Sequence, residues 1–220
     1  MKDIPIFLVN FNRFQPIVDL VKSLLDRNYT NIIIVDNNSS YEPLLEWYKT
    51  CPVKLYDVGN NGGPYVMMKI PLFDSIRTSG EPYVWSDADV VPVAEAPTDF
   101  IEHMVEIAVE KNIPKLGLSL VINDLPDHFK LKEAVIKHES IFTTLGSFES
   151  KYGTVYKAPV DTTFSVCRVP DCGYNQDAYR MGWPYSARHI PWYYDSNNLP
   201  PDEILLRQHR LKWCGHWSSQ

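Results

Sequence analysis

Residues 4–9 (IPIFLV) form an uninterrupted apolar run of strand length, the pattern of a strand buried on both faces. Over residues 16–26 the period changes, placing Ile17, Leu20, Val21, Leu24 and Leu25 on one helical face. A second apolar run, residues 31–35 (NIIIV), ends at the turn-forming Asp36-Asn37-Asn38-Ser39-Ser40. Residues 41–49 then predict a helix and 53–58 a third strand. Gly59-Asn60-Asn61-Gly62-Gly63-Pro64 breaks the chain before a helical stretch over roughly 66–76, and 83–86 reads as a fourth strand. Apolar strands alternating with helices predict an α/β fold, a mostly parallel sheet flanked by helices.

The second half is less regular. Residues 100–110 predict an amphipathic helix, 115–121 a strand, 131–145 a helix and 200–207 a last helix. From Val160 onward short strands and long aromatic, proline-rich loops are expected. No repeat or linker composition appears, so residues 1–220 read as one domain. Residues 1–95 form its regular half and 96–220 its loop-rich half.

Charge and composition narrow the function. With 45% apolar and 13% aromatic residues, 220 residues can build a substantial core. A net charge of −6 argues against nucleic acid and anionic membrane surfaces as partners. No apolar stretch approaches the ~20 residues of a membrane span, and MKDIPIFLVNFNRF lacks a signal-peptide layout. Cys51, Cys167, Cys172 and Cys214 contain no CxxC pair, which disfavours a zinc ribbon and fits reduced thiols in the cytosol. A cytoplasmic protein is expected, either whole or as one domain of a longer chain.

The stretch YVWSDADVVP, residues 83–92, carries the chemistry. Asp87 and Asp89 are one residue apart, so they converge if the chain stays extended. They also lie at the carboxyl end of a strand, where open α/β sheets bind ligands. Two unit charges ~5 Å apart at an effective dielectric of ~20 repel by about 3 kcal/mol. A divalent cation reverses that sign, and hard oxygen ligands suit Mg²⁺ or Mn²⁺ holding a diphosphate. The plainer account is a turn residue followed by a helix cap.

This D-x-D stretch resembles that of the GT-A glycosyltransferases. Ile4 to Arg13 (IPIFLVNFNR) is similar to the opening strand and loop of family-2-like members, and Ile33 to Ser39 (IIVDNNS) to their V-V-D-N-G-S segment. Gly59-Asn60-Asn61-Gly62-Gly63 stands where they carry an asparagine- and glycine-rich loop. Pro159 to Phe164 (PVDTTF) and Ala187 to Tyr193 (ARHIPWY) resemble segments of small bacterial and viral transferases. Asn10 departs from the commoner threonine, and Asn38 from the usual glycine.

The resemblance implies a metal-dependent transfer of sugar from a nucleoside-diphosphate sugar, with UDP-sugars favoured, to a glycan hydroxyl. A bacterial polysaccharide or a viral glycan are both conceivable acceptors. It implies a nucleotide-base contact for Asp36, ribose contact for Asp87 and metal ligation for Asp89, with His189 as a further ligand. Each residue also has a structural account: an Asx turn for Asp36, a packed loop for His189. Asn10 and Arg13 line the nucleotide, or Arg13 is a solvated surface residue. Asn61 and Gly62 let the backbone approach the donor, or form an ordinary turn. Arg188 can offset diphosphate charge.

Transfer to a hydroxyl needs a base ionised at neutral pH, which an ordinary aspartate with pKa ~3.9 satisfies. Asp161 is the candidate, with Asp124, Asp171 and Asp177 in reserve, and displacement there inverts the anomeric carbon. Its other account is a strand-end cap. Trp183, Trp192, Tyr193, Tyr194, Trp213 and Trp217 offer a platform for apolar sugar faces, or pack a core.

Two other functions remain open: a sugar nucleotidyltransferase and a non-catalytic nucleotide-sugar or glycan-binding module. The first usually has a glycine-rich loop after its first strand, and Asn10 to Pro16 contains no glycine. Neither G-x-G-x-x-G after the first strand nor G-x-x-x-x-G-K-[ST] is present, which disfavours dehydrogenases and P-loop enzymes.

Overall fold

Every residue of Ile6–Asn10 (β1) is buried, and its side chains alternate between two cores. Ile6 and Leu8 join a core with helix Gln15–Leu25 (α1) and helix Phe100–Glu110, whereas Phe7 and Val9 pack with Met67, Phe73 and Trp85. Ile32–Asp36 (β2) divides the same way, with Ile32 and Ile34 on the first face and Ile33 and Val35 on the second. This two-sided burial is what runs of β-branched residues require. In α1 a proline occupies the first turn, Ile17, Leu20, Val21 and Leu24 are buried, and Asn28 just beyond the helix adopts φ 65°.

The structure, a computed structural model, describes residues 2–169, 172 and 177–210. Asp171, Trp213, Cys214 and Trp217 lie outside the described residues. Helix Glu42–Tyr48 (α2) leads to edge strand Lys54–Asp57 (β3). The single helix expected over 66–76 is instead two 3-10 turns, Val66–Lys69 and Pro71–Phe73, then Asp74–Ser79 (α3). Pro71 has no N–H for a continuing helix, which explains the break.

The remaining elements are Tyr83–Asp87 (β4), Val90–Pro92 (β5), Phe100–Glu110 (α4), Lys115–Leu120 (β6) and Lys132–Ser140 (α5), then Ser147–Ser150 (β7), Gly153–Lys157 (β8), Ser165–Cys167 (β9), Tyr179–His189 (β10) and Pro201–His209 (α6). The strands form one ten-stranded sheet in the order β3-β2-β1-β4-β9-β6-β10-β8-β7, with β5 paired to β10. Strands from both halves of the chain share this sheet.

The sheet is mixed rather than mostly parallel, which corrects the sequence expectation. Four pairings are parallel, β1 with β2 and β4, β2 with β3, and β6 with β10. Five are antiparallel, because β9 inserts in reverse between β4 and β6, a β7–β8 hairpin adds to β10, and β5 folds back onto it. At 11 residues β10 is longer than the short strands expected after Val160, and it contains Pro184. The strand absorbs that proline in an irregularity between Met181 and Ser186, where its register against β6 shifts.

β1 and β4 are adjacent and parallel, but the next strand in chain order lies to opposite sides of them. A crevice therefore opens beyond their carboxyl ends, at Asn10 and Asp87. Among the described residues no helix is long and apolar enough to cross a membrane.

Candidate functional site

A cleft of about 630 Å³ occupies this position. Its lining includes Asn10, Arg13, Asn61, Asp87, Asp89, Asp161 and His189. Asp36, Gly62 and Arg188 do not line it.

The D-x-D segment does not stay extended. β4 ends at Asp87, Ala88 and Asp89 make a turn, and β5 begins at Val90. Backbone bonds fix the turn on both sides: Ala88 N–H donates to Val9 O at 3.1 Å and Asp87 N–H to Thr162 O at 3.0 Å. Because β5 runs antiparallel to β10 with Val90 opposite His189, the histidine is brought to the aspartate. His189 Nε2 lies 3.6 Å from Asp89 Oδ2.

Asp89 is buried and shares a second partner, with Arg13 Nε 2.7 Å from the same Oδ2. Arg13 also pairs with Glu203, a buried residue of α6. Burial works against the Arg13 charge, but Asp89 and Glu203 outweigh it and keep the guanidinium protonated. Arg13 is thus neither a solvated surface residue nor an uncommitted nucleotide ligand.

Asp89 Oδ1 and His189 Nδ1 are buried with no hydrogen-bond partner. A buried polar atom of this kind can be met by a bound water or ion. Burial holds the His189 ring below its ordinary pKa despite the pull of Asp89, so the neutral form that ligates metals is favoured. A carboxylate oxygen suits Mg²⁺ or Mn²⁺, whereas an imidazole nitrogen suits transition metals, so the pair fits Mn²⁺ better than Mg²⁺. Among the described residues no group of three or more His, Cys, Asp or Glu side chains is arranged to hold a metal ion, so an ion on this pair would take its other donors from ligand and water.

Asp87 is half-buried and accepts a hydrogen bond from the Thr162 hydroxyl. Burial first, then the neighbouring Asp89 charge, pushes its carboxyl well above the usual range, and Thr162 and Arg13 only partly offset this.

Asp161 lies across the cleft, exposed to its solvent. Its Oδ1 accepts from Thr163 N–H at 3.0 Å and Thr163 Oγ1 at 2.6 Å. Desolvation pushes its carboxyl up, but the Thr163 bonds and the Arg180 and Lys115 charges outweigh that and hold it below the ordinary value. Leu120, His138, Glu139, Phe142, Arg180 and Trp192 line the same cleft. There Arg180 pairs with Glu139 at 2.8 Å and stands over the Phe142 ring.

Three expected contacts take other forms. Asp36 is saturated: Oδ1 accepts from Ser39 Oγ and Tyr48 OH, and Oδ2 from Ser39 N–H. Arg188, on the strand face opposite His189, binds Asp124 at 2.6 Å. Gly62 donates its N–H to Asn37 Oδ1, and its missing Cβ makes room for Val66 rather than for a ligand. Asn10, by contrast, lines the cleft with Oδ1 unpartnered, while its Nδ2 donates to Tyr48 OH and Arg13 O. Of the aromatic platform, Trp192 lines the cleft but is buried, and Trp183 is exposed elsewhere on the surface.

Thr162, Glu139, Arg180 and Glu203 went unnoticed in the sequence. Only Thr162 had a signal, its place beside Asp161. The chain matches no protein-family model and no curated protein.

Proposed function

We propose that this chain is a glycosyltransferase of GT-A type that moves a sugar from a nucleoside-diphosphate sugar, preferably a UDP-sugar, to a glycan hydroxyl. One observation carries the reading. Asp87, Asp89, Asp161 and His189 converge from three segments on one cleft at the carboxyl ends of β1 and β4, with Asp89 Oδ1 and His189 Nδ1 left unpartnered.

Asp89 and His189 would hold Mn²⁺ or Mg²⁺, which supplies positive charge for a diphosphate and for the nucleotide that leaves. Asp87, at the lip of the turn, contacts the ribose, and Asn10 and Asn61 border the nucleotide. Asp161 is the base. Its lowered pKa leaves the carboxylate ionised at neutral pH, ready to accept the proton of an acceptor hydroxyl. Leu120, Phe142 and Trp192 in the cleft lining give that acceptor apolar surface, with Glu139 and Arg180 neutralising one another in the same lining. Attack from that side, opposite the leaving diphosphate, inverts the anomeric carbon.

A thermal-shift panel of nucleotide sugars with and without Mn²⁺ tests the reading. UDP-sugars with Mn²⁺ are expected to raise the melting temperature, and EDTA to remove most of the gain. Release of UDP on turnover supports transfer. Pyrophosphate release from a nucleoside triphosphate would replace the reading with a nucleotidyltransferase, and no response to any nucleotide would end it.

A further inference from the structure

A buried lysine lies beneath the proposed base. Lys115 has no solvent-accessible surface, and its Nζ donates to the main-chain oxygen of Asp161 and, at 2.8 Å, to that of Cys172. The same ammonium stands 5.0 Å from the centroid of the Trp85 ring. Burying an ammonium forfeits its hydration, and an apolar side chain would fill this position in the strand KLGLSL at no such cost.

The next residue on the same face of β6 is Gly117. A Cβ there would stand 3.0 Å from Val160 Cγ1. Strand β6 therefore receives residues 160 and 161 at two points: Gly117 admits Val160 closely, and Lys115 ties down the carbonyl of Asp161. With the carbonyl turned inward to Lys115, the Asp161 side chain remains on the cleft wall.

We infer that Lys115 is a positioning residue for the base: it fixes the main chain at Asp161 so that the carboxylate faces the acceptor. The inference rests on the transferase reading and extends it. Lys115 also adds to the positive potential at Asp161. The other charged or titratable groups acting around that carboxylate are Arg180 and His189 of β10, Asp87 at the end of β4 and Glu139 of α5.

The test measures UDP release from a panel of UDP-hexoses with Mn²⁺ and simple glycosides as acceptors. Lys115→Met is expected to lower kcat about 100-fold with donor KM within about twofold, and to move the acid limb of kcat upward by about one pH unit. Lys115→Gln keeps an amide donor for the two carbonyls, so it is expected to regain part of kcat while its acid limb stays displaced. Adding Lys115→Gln to Asp161→Ala is expected to cost nothing further. A lysine that only supports the fold would lower Tm and leave kcat per folded molecule and the acid limb at parental values, which overturns the inference. Should Lys115→Met fail to fold, Lys115→Gln decides by the same readouts. Full activity in Asp161→Ala overturns the base assignment and this inference together. An inactive Asp161→Ala beside parental Lys115 variants overturns the inference alone.

Discussion

His189 Nε2 stands 3.6 Å from Asp89 Oδ2, although 100 positions of sequence separate the two residues. A backbone register, Val90 opposite His189, produces that approach.

If the pair ligates a cation, Asp89→Asn and His189→Ala lose the Mn²⁺-dependent part of the UDP thermal shift. For the parent at 100 times Kd the gain is about 2.7 kcal/mol, roughly 5–10 °C for a chain of this size. Calorimetry with Mn²⁺ and UDP checks it. A full shift in both variants removes the two residues from the metal site.

Arg13 holds two buried carboxylates, Asp89 and Glu203. Arg13→Met takes the cation from Asp89 and leaves Glu203 with Arg207 alone, so it is expected to cost about 3–5 kcal/mol. Glu203→Gln leaves Arg13 paired with Asp89 and is expected to cost less. Urea unfolding of the two variants gives the order, and the reverse order would count against a shared guanidinium.

A Cβ on Gly62 would lie 2.5 Å from Val66 Cγ2. Gly62→Ala is therefore expected to destabilise by about 1–3 kcal/mol through overpacking. Shortening the neighbour in Gly62→Ala/Val66→Ala is expected to recover part of that loss. A neutral single substitution in thermal melts would mean that the loop yields freely.

The Asp161 carboxyl titrates below its unfolded value, so its ionised form stabilises the fold. That contribution is present above the ordinary carboxylate pKa and is lost as pH falls through the lowered folded value. Asp161→Asn is thus expected to lose stability at pH ~7, by less than about 1 kcal/mol because solvent reaches the group. Its deficit shrinks as the pH drops below ~4. Denaturant curves across that range check the sign, and a deficit growing toward acid contradicts it.

The sequence made the central strands legible because β1, β2 and β4 are apolar on both faces, a pattern with few alternatives. Asp87, Asp89 and Asp161 were legible as charges at strand ends or in turn-rich segments. The pairing of β5 with β10 was not, since its three-residue strand carries no periodic signal. Pro184 concealed the length of β10 for a similar reason: a proline in a central strand argues against the strand unless an irregularity absorbs it. Lys115 and Glu203 were invisible because charge in a sequence reads as surface, and only tertiary partners make burial tolerable. For Asp36 the sequence offered a nucleotide-base contact or an Asx turn, and the carboxylate accepts from Ser39 within the turn and from Tyr48 of α2.

The clasp between Arg13 and Glu203 spans 190 positions, nearly the whole described length. So distant a pair can close only once nearly all of the described chain has been made. During synthesis the first acidic residues of the crevice emerge early, yet the crevice cannot reach its final charge arrangement until the segment carrying α6 has left the ribosome. Competence of the nascent chain should therefore arrive late and abruptly, rather than growing with each strand added.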